Sequence, residues 1–174
     1  MPDVKIVILN WNGEAHLRRF LPSVVAAAPA GVGVVVADNG STDGSLALLA
    51  SEFPTVHVVR LDTNYGFAGG YNRALEQIEA DIFVLLNSDV ETPAGWLEPL
   101  LECLERNPDV AVVSPKLISF LEREKFEYAG ASGGFIDFLG YPFCRGRILR
   151  TVEEDRGQYD DERDVFWVSG AAFC

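Results

Sequence analysis

Short apolar runs alternate with longer segments of helical spacing over residues 1–118. The runs cover residues 4–9, 32–37, 56–60, 82–86 and 110–114. Between them, apolar side chains recur every three or four positions, as they do in a helix that packs on one face. The run at 32–37 is entirely apolar, which is typical of a parallel strand buried on both faces. The alternation predicts an α/β fold with a mostly parallel central sheet and helices on both faces.

Two of the helical segments contain residues that affect where the helix can form. Pro22 lies within the first segment and predicts a kink or a break near Leu21, because proline removes a backbone donor. Residues 64–70 are rich in glycine and predict a loop that leads into a helix through Asn72.

The regular alternation ends near residue 119. Glycine and proline then punctuate short apolar stretches, and residues 153–164 hold seven acidic side chains and two arginines. We expect this acidic run to be a solvated, mobile loop rather than a metal site, since like charges repel. Residues 165–168 predict one more strand. We expect one domain at 1–174, with an α/β half at 1–118 and an irregular region at 119–174.

Composition narrows the class of protein. The net charge of −12 argues against a nucleic-acid groove, which needs clustered Lys and Arg. No apolar run approaches the roughly 18 residues of a spanning helix, although peripheral membrane association stays open. The three cysteines show no metal or disulfide spacing, and no signal stretch precedes Val4. We therefore expect reduced thiols and a cytoplasmic location, which includes the inner face of the membrane.

Polar side chains follow several of the predicted strands directly. Asn10 follows the first run, Asp38 the second, and Asn87-Ser88-Asp89 the fourth. The carboxyl ends of parallel strands lie on one edge of a sheet, where open α/β folds bind ligands. A carboxylate there suits a hard divalent cation that also holds phosphate. This pattern indicates a site for a nucleoside diphosphate.

Each candidate also has a structural interpretation. Asp38 could accept the imide N–H of uracil or thymine, or it could simply form a turn. Trp11 could stack on a base or ribose, or it could pack in the core. Glycines at the start of a helix, as at Gly66, can expose backbone amides to a diphosphate or merely permit the turn. The Asn72 amide could contact the ligand, but fixing the loop is the role we favour.

Four stretches occur together in one order. They are Val-Ile-Leu-Asn-Trp-Asn-Gly at 7–13, Val-Ala-Asp-Asn-Gly-Ser-Thr-Asp-Gly-Ser at 36–45, Asn-x-Gly-Phe-Ala-Gly-Gly-x-Asn at 64–72 and Leu-Leu-Asn-Ser-Asp at 85–89. In combination they resemble the family 2 glycosyltransferases of the GT-A fold, and most closely the bacterial rhamnosyltransferase-like members. Ser169-Gly170-Ala171 extends the resemblance nearly to residue 174.

The resemblance implies inverting transfer from a dTDP- or UDP-sugar to a hydroxyl of a glycan or lipid-linked acceptor, in polysaccharide synthesis. It implies Mg²⁺ or Mn²⁺ as cofactor, with Asp89 as its ligand. The implied donor-binding residues are Leu9, Asn10, Trp11, Asn12, Asp38, Asn64, Gly66, Phe67, Asn72, Asn87 and Ser88.

Two departures from the family pattern change what is expected of this chain. Asn87 stands where the family's Asp-x-Asp metal motif has its first carboxylate. The family's general base follows the segment that matches Ser169-Gly170-Ala171, so we expect it beyond Cys174. The 174 residues are then the donor-binding portion of a longer enzyme. The alternatives are a sugar-nucleotide pyrophosphorylase and a non-catalytic nucleotide-binding module.

Overall fold

The computed structural model describes residues 2–127 and 131–174, so residues 128–130 of the irregular region lie outside the description. In chain order the elements are β1 (Val4–Asn10), α1 (Glu14–Ala27), β2 (Gly33–Asn39), α2 (Ser45–Glu52), β3 (His57–Leu61), α3 (Gly66–Leu75), β4 (Ile82–Asn87), α4 (Glu98–Arg106), β5 (Gly134–Ile136), β6 (Pro142–Cys144), β7 (Arg147–Ile148), β8 (Thr151–Val152) and β9 (Ala172–Phe173).

The central sheet has the strand order β3-β2-β1-β4-β9. The first four strands are parallel, and β9 runs antiparallel to β4. Alternate side chains of β1 point to opposite faces, as in any strand. Ile6 and Ile8 belong to the core cluster that holds α1, α2 and α4, whereas Val7 belongs to the cluster beneath α3. Helices therefore cover both faces of a mostly parallel sheet, as expected.

The chain changes direction in the sheet between β1 and β4. It adds β2 and β3 on one side of β1 and then crosses back to place β4 on the other side. Where two neighbouring strands are followed by connections that leave in opposite directions, a crevice opens at their carboxyl ends. In this protein that crevice lies between the ends of β1 and β4.

A smaller antiparallel sheet, with the order β5-β6-β7-β8, forms within residues 134–152. Its inner face packs on aromatic rings. A Cβ added at Gly134 would lie 1.8 Å from the ring of Trp167, and one added at Gly146 would lie 2.7 Å from the ring of Phe126. Only glycine lets the backbone come so close to these rings.

The expected break at Pro22 is wrong. Helix α1 runs without interruption from Glu14 to Ala27. Leu21 and Val24 on either side of the proline are buried against the sheet. Their packing outweighs the penalty of roughly 3 kcal/mol for a proline inside a helix.

The expected loop at 64–70 is largely wrong as well, because α3 begins at Gly66. The glycines are accommodated within the helix. Gly70, for example, is buried, and a Cβ there would lie 2.8 Å from the side-chain amide of Asn39. These glycines allow close packing of the helix start rather than a flexible loop.

Neither of the two later strands that we expected forms. Residues 110–114 are not a strand of the sheet, although Val113 exchanges backbone hydrogen bonds of 2.8 and 2.9 Å with Cys174. The place beside β4 is taken instead by β9. Within 165–168, only Trp167 makes a β-bridge, to Gly134. An apolar run indicates burial, but it does not determine whether the segment pairs with a neighbouring strand.

The acidic run at 153–164 is exposed but anchored. Lys116 pairs with Asp155 at 2.7 Å and Asp160 at 2.5 Å, and Arg145 pairs with Asp161 at 3.0 Å.

No helix in the described part of the chain has the length and apolar character needed to cross a bilayer.

Candidate functional site

The predicted site residues of β1, β2 and β4 share one edge of the central sheet. Asn10 is the register partner of Asp38 in the β1–β2 pair, and Leu9 is the partner of Asn87 in the β1–β4 pair. All three strands are parallel, so their carboxyl ends meet at the crevice between β1 and β4.

Asp38 is almost completely buried at the end of β2. Its Oδ1 accepts a hydrogen bond from Asn10 Nδ2 at 3.2 Å, and its Oδ2 accepts one from the backbone N–H of Ser41 at 3.0 Å. Asp38 therefore does form the turn that its chemistry allows. Because each carboxylate oxygen can accept two hydrogen bonds, it can still accept one from a ligand.

Asn10 presents a buried acceptor that has no partner among the described residues. Its Oδ1 is enclosed and makes no hydrogen bond, although its Nδ2 is used. A Cβ added at Gly13 would lie 2.3 Å from this oxygen and 3.8 Å from Ser88 Oγ, so the ends of β1 and β4 adjoin here. A buried amide oxygen without a donor costs about 1–3 kcal/mol. A ligand that donates to it would recover this energy.

Asn39 was not among the predicted site residues, yet it fixes the start of α3. Its Nδ2 donates to Asn64 Oδ1 and to the carbonyl of Gly66, each at 3.0 Å, and its Oδ1 accepts from the backbone N–H of Tyr65 at 3.0 Å. Asn64 Oδ1 also accepts from the Gly66 N–H at 2.8 Å. Asn72, which we expected to fix this segment, is exposed and makes no side-chain hydrogen bond to a described residue.

The first turn of α3 has backbone N–H groups that no carbonyl of the helix accepts. The first four N–H groups of an α-helix have no partner within it. Asn39 accepts from the N–H of Tyr65 and Asn64 from that of Gly66, which leaves the amides of Phe67 and Ala68 for an anion. Gly66 has φ +71° and nothing within 4 Å of an added Cβ, so space remains beside this turn.

Tyr71 links α3 to the strands that carry the crevice. The phenol is buried, donates to the carbonyl of Leu86 at 3.1 Å and accepts from the backbone N–H of Leu9 at 3.4 Å. Burial raises the pKa of Tyr71 to about 12, so the hydroxyl keeps its proton at neutral pH. The sequence did not reveal these hydrogen bonds, because Tyr71 occupies an ordinary apolar position in the predicted helix.

Trp11 lies in solvent rather than in the core, with 55% of its surface exposed. The core-packing alternative is therefore wrong. The next residue, Asn12, adopts φ +49° and accepts a hydrogen bond from the Thr42 N–H at 2.7 Å. Asparagine tolerates this left-handed conformation in the turn after β1 better than most residues do.

Asp89 is exposed two residues beyond β4 and makes no hydrogen bond or ion pair with a described residue. The neighbouring Asn87 and Ser88 are half-buried and offer further oxygen donors. Within residues 2–127 and 131–174, no group of three His, Cys, Asp or Glu side chains could hold a metal alone. One carboxylate with neutral oxygens fits a hard cation that takes its remaining ligands from a diphosphate and water.

The Ser169-Gly170-Ala171 segment also reaches this edge. The carbonyl of Ala171 accepts from the backbone N–H of Asn87 at 2.9 Å, and a Cβ added at Gly170 would lie 3.6 Å from the Phe67 ring. Phe67 itself is 53% exposed and contacts Tyr71 edge to face. The segment that extended the sequence resemblance thus closes one side of the crevice.

Comparison with known sequences identifies the family. The profile of "Glycosyl transferase family 2" matches residues 5–156. N-acetylglucosaminyl-diphospho-decaprenol L-rhamnosyltransferase of Mycobacterium tuberculosis is 29% identical over 98% of this chain, which spans 61% of that protein. Pre-mycofactocin glycosyltransferase of the same organism is 33% identical over 70% of this chain and 25% of its own length.

Solved structures share the fold. TarS 1–349 of S. aureus superposes with a TM-score of 0.60 and 22% identity, over 79% of this chain and 42% of that one. The mannosyltransferase PcManGT of Pyrobaculum calidifontis, in complex with GDP-Man and Mn²⁺, gives a TM-score of 0.59 and 24% identity over 68% of this chain and 36% of that one. The chain therefore belongs to glycosyl transferase family 2 and has the GT-A fold.

Proposed function

We propose that this chain is the donor-binding part of an inverting glycosyltransferase that uses a dTDP- or UDP-sugar. The observation that supports it most is the shared edge at the end of β1, β2 and β4. That edge holds the buried carboxylate of Asp38 and the buried Asn10 Oδ1, which has no donor in the described part of the chain. The exposed carboxylate of Asp89 lies two residues beyond β4. The family match makes the pyrophosphorylase alternative less favourable.

The base and ribose would occupy the side of the crevice near β2. There Asp38 can accept the imide N–H of uracil or thymine, and the exposed indole of Trp11 offers a face for stacking. Leu9, Asn10 and Asn12 shape the floor and rim of this half.

The diphosphate would lie between the first turn of α3 and the end of β4. The free amides of Phe67 and Ala68 can donate to its oxygens, with Asn64, Gly66 and Asn72 around them. Asp89, aided by Asn87 and Ser88, would hold Mg²⁺ or Mn²⁺. When bound, such an ion neutralises charge on the leaving diphosphate. TarS has been solved in complex with UDP-GlcNAc. PcManGT has been solved in complex with GDP-Man and Mn²⁺.

The acceptor side and the general base would lie outside the α/β half. We infer that the α/β half at 1–118 holds the donor, that 119–174 faces the acceptor, and that the base that removes the hydroxyl proton follows residue 174. The acceptor is a glycan or a lipid-linked sugar, such as the N-acetylglucosaminyl-diphospho-decaprenol in the name of the mycobacterial relative. An acceptor of that kind would bring the protein to the inner face of the membrane.

Calorimetry with UDP, dTDP and UTP, each with and without Mn²⁺, tests the proposal. We expect diphosphate binding that Mn²⁺ strengthens, and loss of that strengthening in Asp89→Ala. Asp109→Ala, a change of another exposed carboxylate, serves as the matched control. Preference for the triphosphate would favour the pyrophosphorylase, and no binding at all would favour a non-catalytic interaction module in which the polar strand ends merely form turns. Efficient sugar transfer by residues 1–174 alone would contradict the division of roles.

A further inference from the structure

Six large apolar side chains of the smaller sheet lie in solvent, each more than half exposed, and we call them the hairpin patch. They are Phe138, Leu139, Tyr141, Phe143, Ile148 and Leu149. Phe138 is 94% exposed and Leu149 is 84% exposed. Soluble surfaces rarely gather so many large apolar residues in one place without a binding role.

The register of the small sheet separates its two faces. Gly134, Cys144, Arg147 and Val152 form one row of partners, and the Trp167 ring packs against Gly134 on the face of this row. Side chains one position along each strand point the other way. Phe143 and Ile148 therefore lie on the outer face, where they are 53% and 69% exposed.

The tip of the β5–β6 hairpin is held in a defined shape. Asp137 Oδ1 accepts hydrogen bonds of 2.9 Å from the backbone N–H groups of both Leu139 and Tyr141. The Gly140 N–H donates to the Asp137 carbonyl at 3.0 Å. This turn fixes the backbone that displays Phe138 and Leu139, so their exposure is built into the hairpin.

The charge around the patch differs from that of the whole protein. Residues 138–152 contain three arginines and no acidic residue, in a chain with a net charge of −12. Arg145 is paired with Asp161, and Arg147 Nε donates to the Leu149 carbonyl at 2.6 Å. Arg150 is exposed and has no partner among the described residues.

We propose that the hairpin patch docks this protein on an anionic lipid bilayer. Its aromatic and aliphatic side chains enter the interface, while the exposed Arg150 contacts lipid phosphates. Apolar side chains beside basic ones are the combination that binds the surface of an anionic membrane. The proposal does not depend on the glycosyltransferase activity, since it rests on a surface outside the crevice.

A second copy of the chain fits this surface less well. A two-fold symmetric contact brings the same patch of each copy together. It would place the exposed Arg150 of one copy near that of the other, without acidic residues between 138 and 152 to compensate. A bilayer rich in phosphate supplies the opposite charge.

Vesicle co-sedimentation of the 174-residue protein tests this. We expect binding to vesicles of phosphatidylcholine mixed with phosphatidylglycerol, and much weaker binding to phosphatidylcholine alone. Phe138→Ser should lower the partition coefficient about tenfold, because a large apolar side chain is lost from the interface. Arg150→Gln should lower it about fivefold. The matched control is Leu121→Ser, since Leu121 is 88% exposed and lies outside the patch.

A spectroscopic variant makes the result independent of any folding defect. Phe138→Trp should show fluorescence that brominated phospholipids quench beyond the quenching of the parent's own tryptophans. Unchanged binding by both Phe138→Ser and Arg150→Gln would overturn the proposal. So would the absence of binding to either vesicle, and so would patch-dependent self-association without lipid binding, which would assign the patch to a second copy.

Discussion

Asn10 and Asp38 face each other across the β1–β2 pair, and the Asn10 side-chain amide donates to the Asp38 carboxylate over 3.2 Å. Both side chains are almost fully buried. Asn10 holds the carboxylate at the end of β2 while its own Oδ1 stays without a donor. One pair of side chains therefore combines a buried hydrogen bond with a buried acceptor that has no donor among the described residues.

Asp38→Asn should lower the affinity for UDP at least tenfold. The substitution keeps the shape of the side chain but removes its charge, and a hydrogen bond to a charged group contributes about 1.5–3 kcal/mol. Calorimetry measures the change, with Asp109→Asn as a control that removes an exposed carboxylate. An affinity equal to that of the parent would remove Asp38 from base recognition.

Tyr71→Phe should lower the free energy of unfolding by about 1 kcal/mol at neutral pH, because the hydrogen bond to Leu86 is lost. The pKa of Tyr71, raised to about 12 by burial, means that the fold favours the neutral phenol. This contribution is complete below about pH 10 and is lost as the pH rises toward 12. By about pH 11 the parent should have lost roughly 1–1.5 kcal/mol that the variant does not lose. Urea unfolding of both proteins at a series of pH values gives the difference, and parallel curves would contradict it.

Asp43→Ala should lower the free energy of unfolding by about 1–2 kcal/mol. Asp43 accepts hydrogen bonds of 3.0 Å from the Glu14 N–H at the start of α1 and from the Ser45 N–H at the start of α2. One carboxylate therefore satisfies amides at two helix starts. Asp164→Ala, at an exposed acid without a described partner, should change stability little. Equal effects of the two substitutions in thermal unfolding would show that the bridge is unimportant.

The same carboxylate gives a prediction for acid pH. Burial raises the pKa of Asp43, but hydrogen bonds from Ser45 and from the Glu14 amide outweigh this and leave the pKa below its ordinary value. The stabilisation is present above the unfolded pKa of about 4 and is lost as the pH falls through the folded value. Asp43→Asn should therefore unfold with a weaker dependence on pH below about 4.

Cys174 should react with iodoacetamide much more slowly than the other cysteines at about pH 8. Burial raises the pKa of its thiol to about 11, so little of the reactive thiolate is present. Cys103 and Cys144 are half-buried. Peptide mass spectrometry over time follows each thiol, and equal rates are expected only after denaturation. Modification of Cys174 at the rate of Cys144 in the folded protein would contradict its burial.

The central fold could be predicted because the apolar pattern of each strand and helix lies within a short stretch of sequence. The runs at 4–9, 32–37, 56–60 and 82–86 all became strands, with boundaries shifted by a residue or so. Asn10 and Asp38 were predicted to lie on one edge because each directly follows a buried strand, and the strand register confirms that they are neighbours.

Other features depend on contacts between distant parts of the chain. Asn39 matters through Asn64 and Gly66, which lie 25 and 27 positions away. The run at 110–114 resembled a strand, but the neighbouring place in the sheet went to residues 172–173. The hairpin patch could not be predicted, because the sequence alone does not show whether an apolar side chain is buried or exposed.

The backbone pairing of Val113 with Cys174 brings the two ends of a long excursion together at the border of the central sheet. Residues 114–171 connect this place to β9, so their content can vary in length and chemistry while the strands that hold Asp38 and Asn87 keep their register. A graft of this excursion between relatives would exchange the outward surface and retain the inner framework.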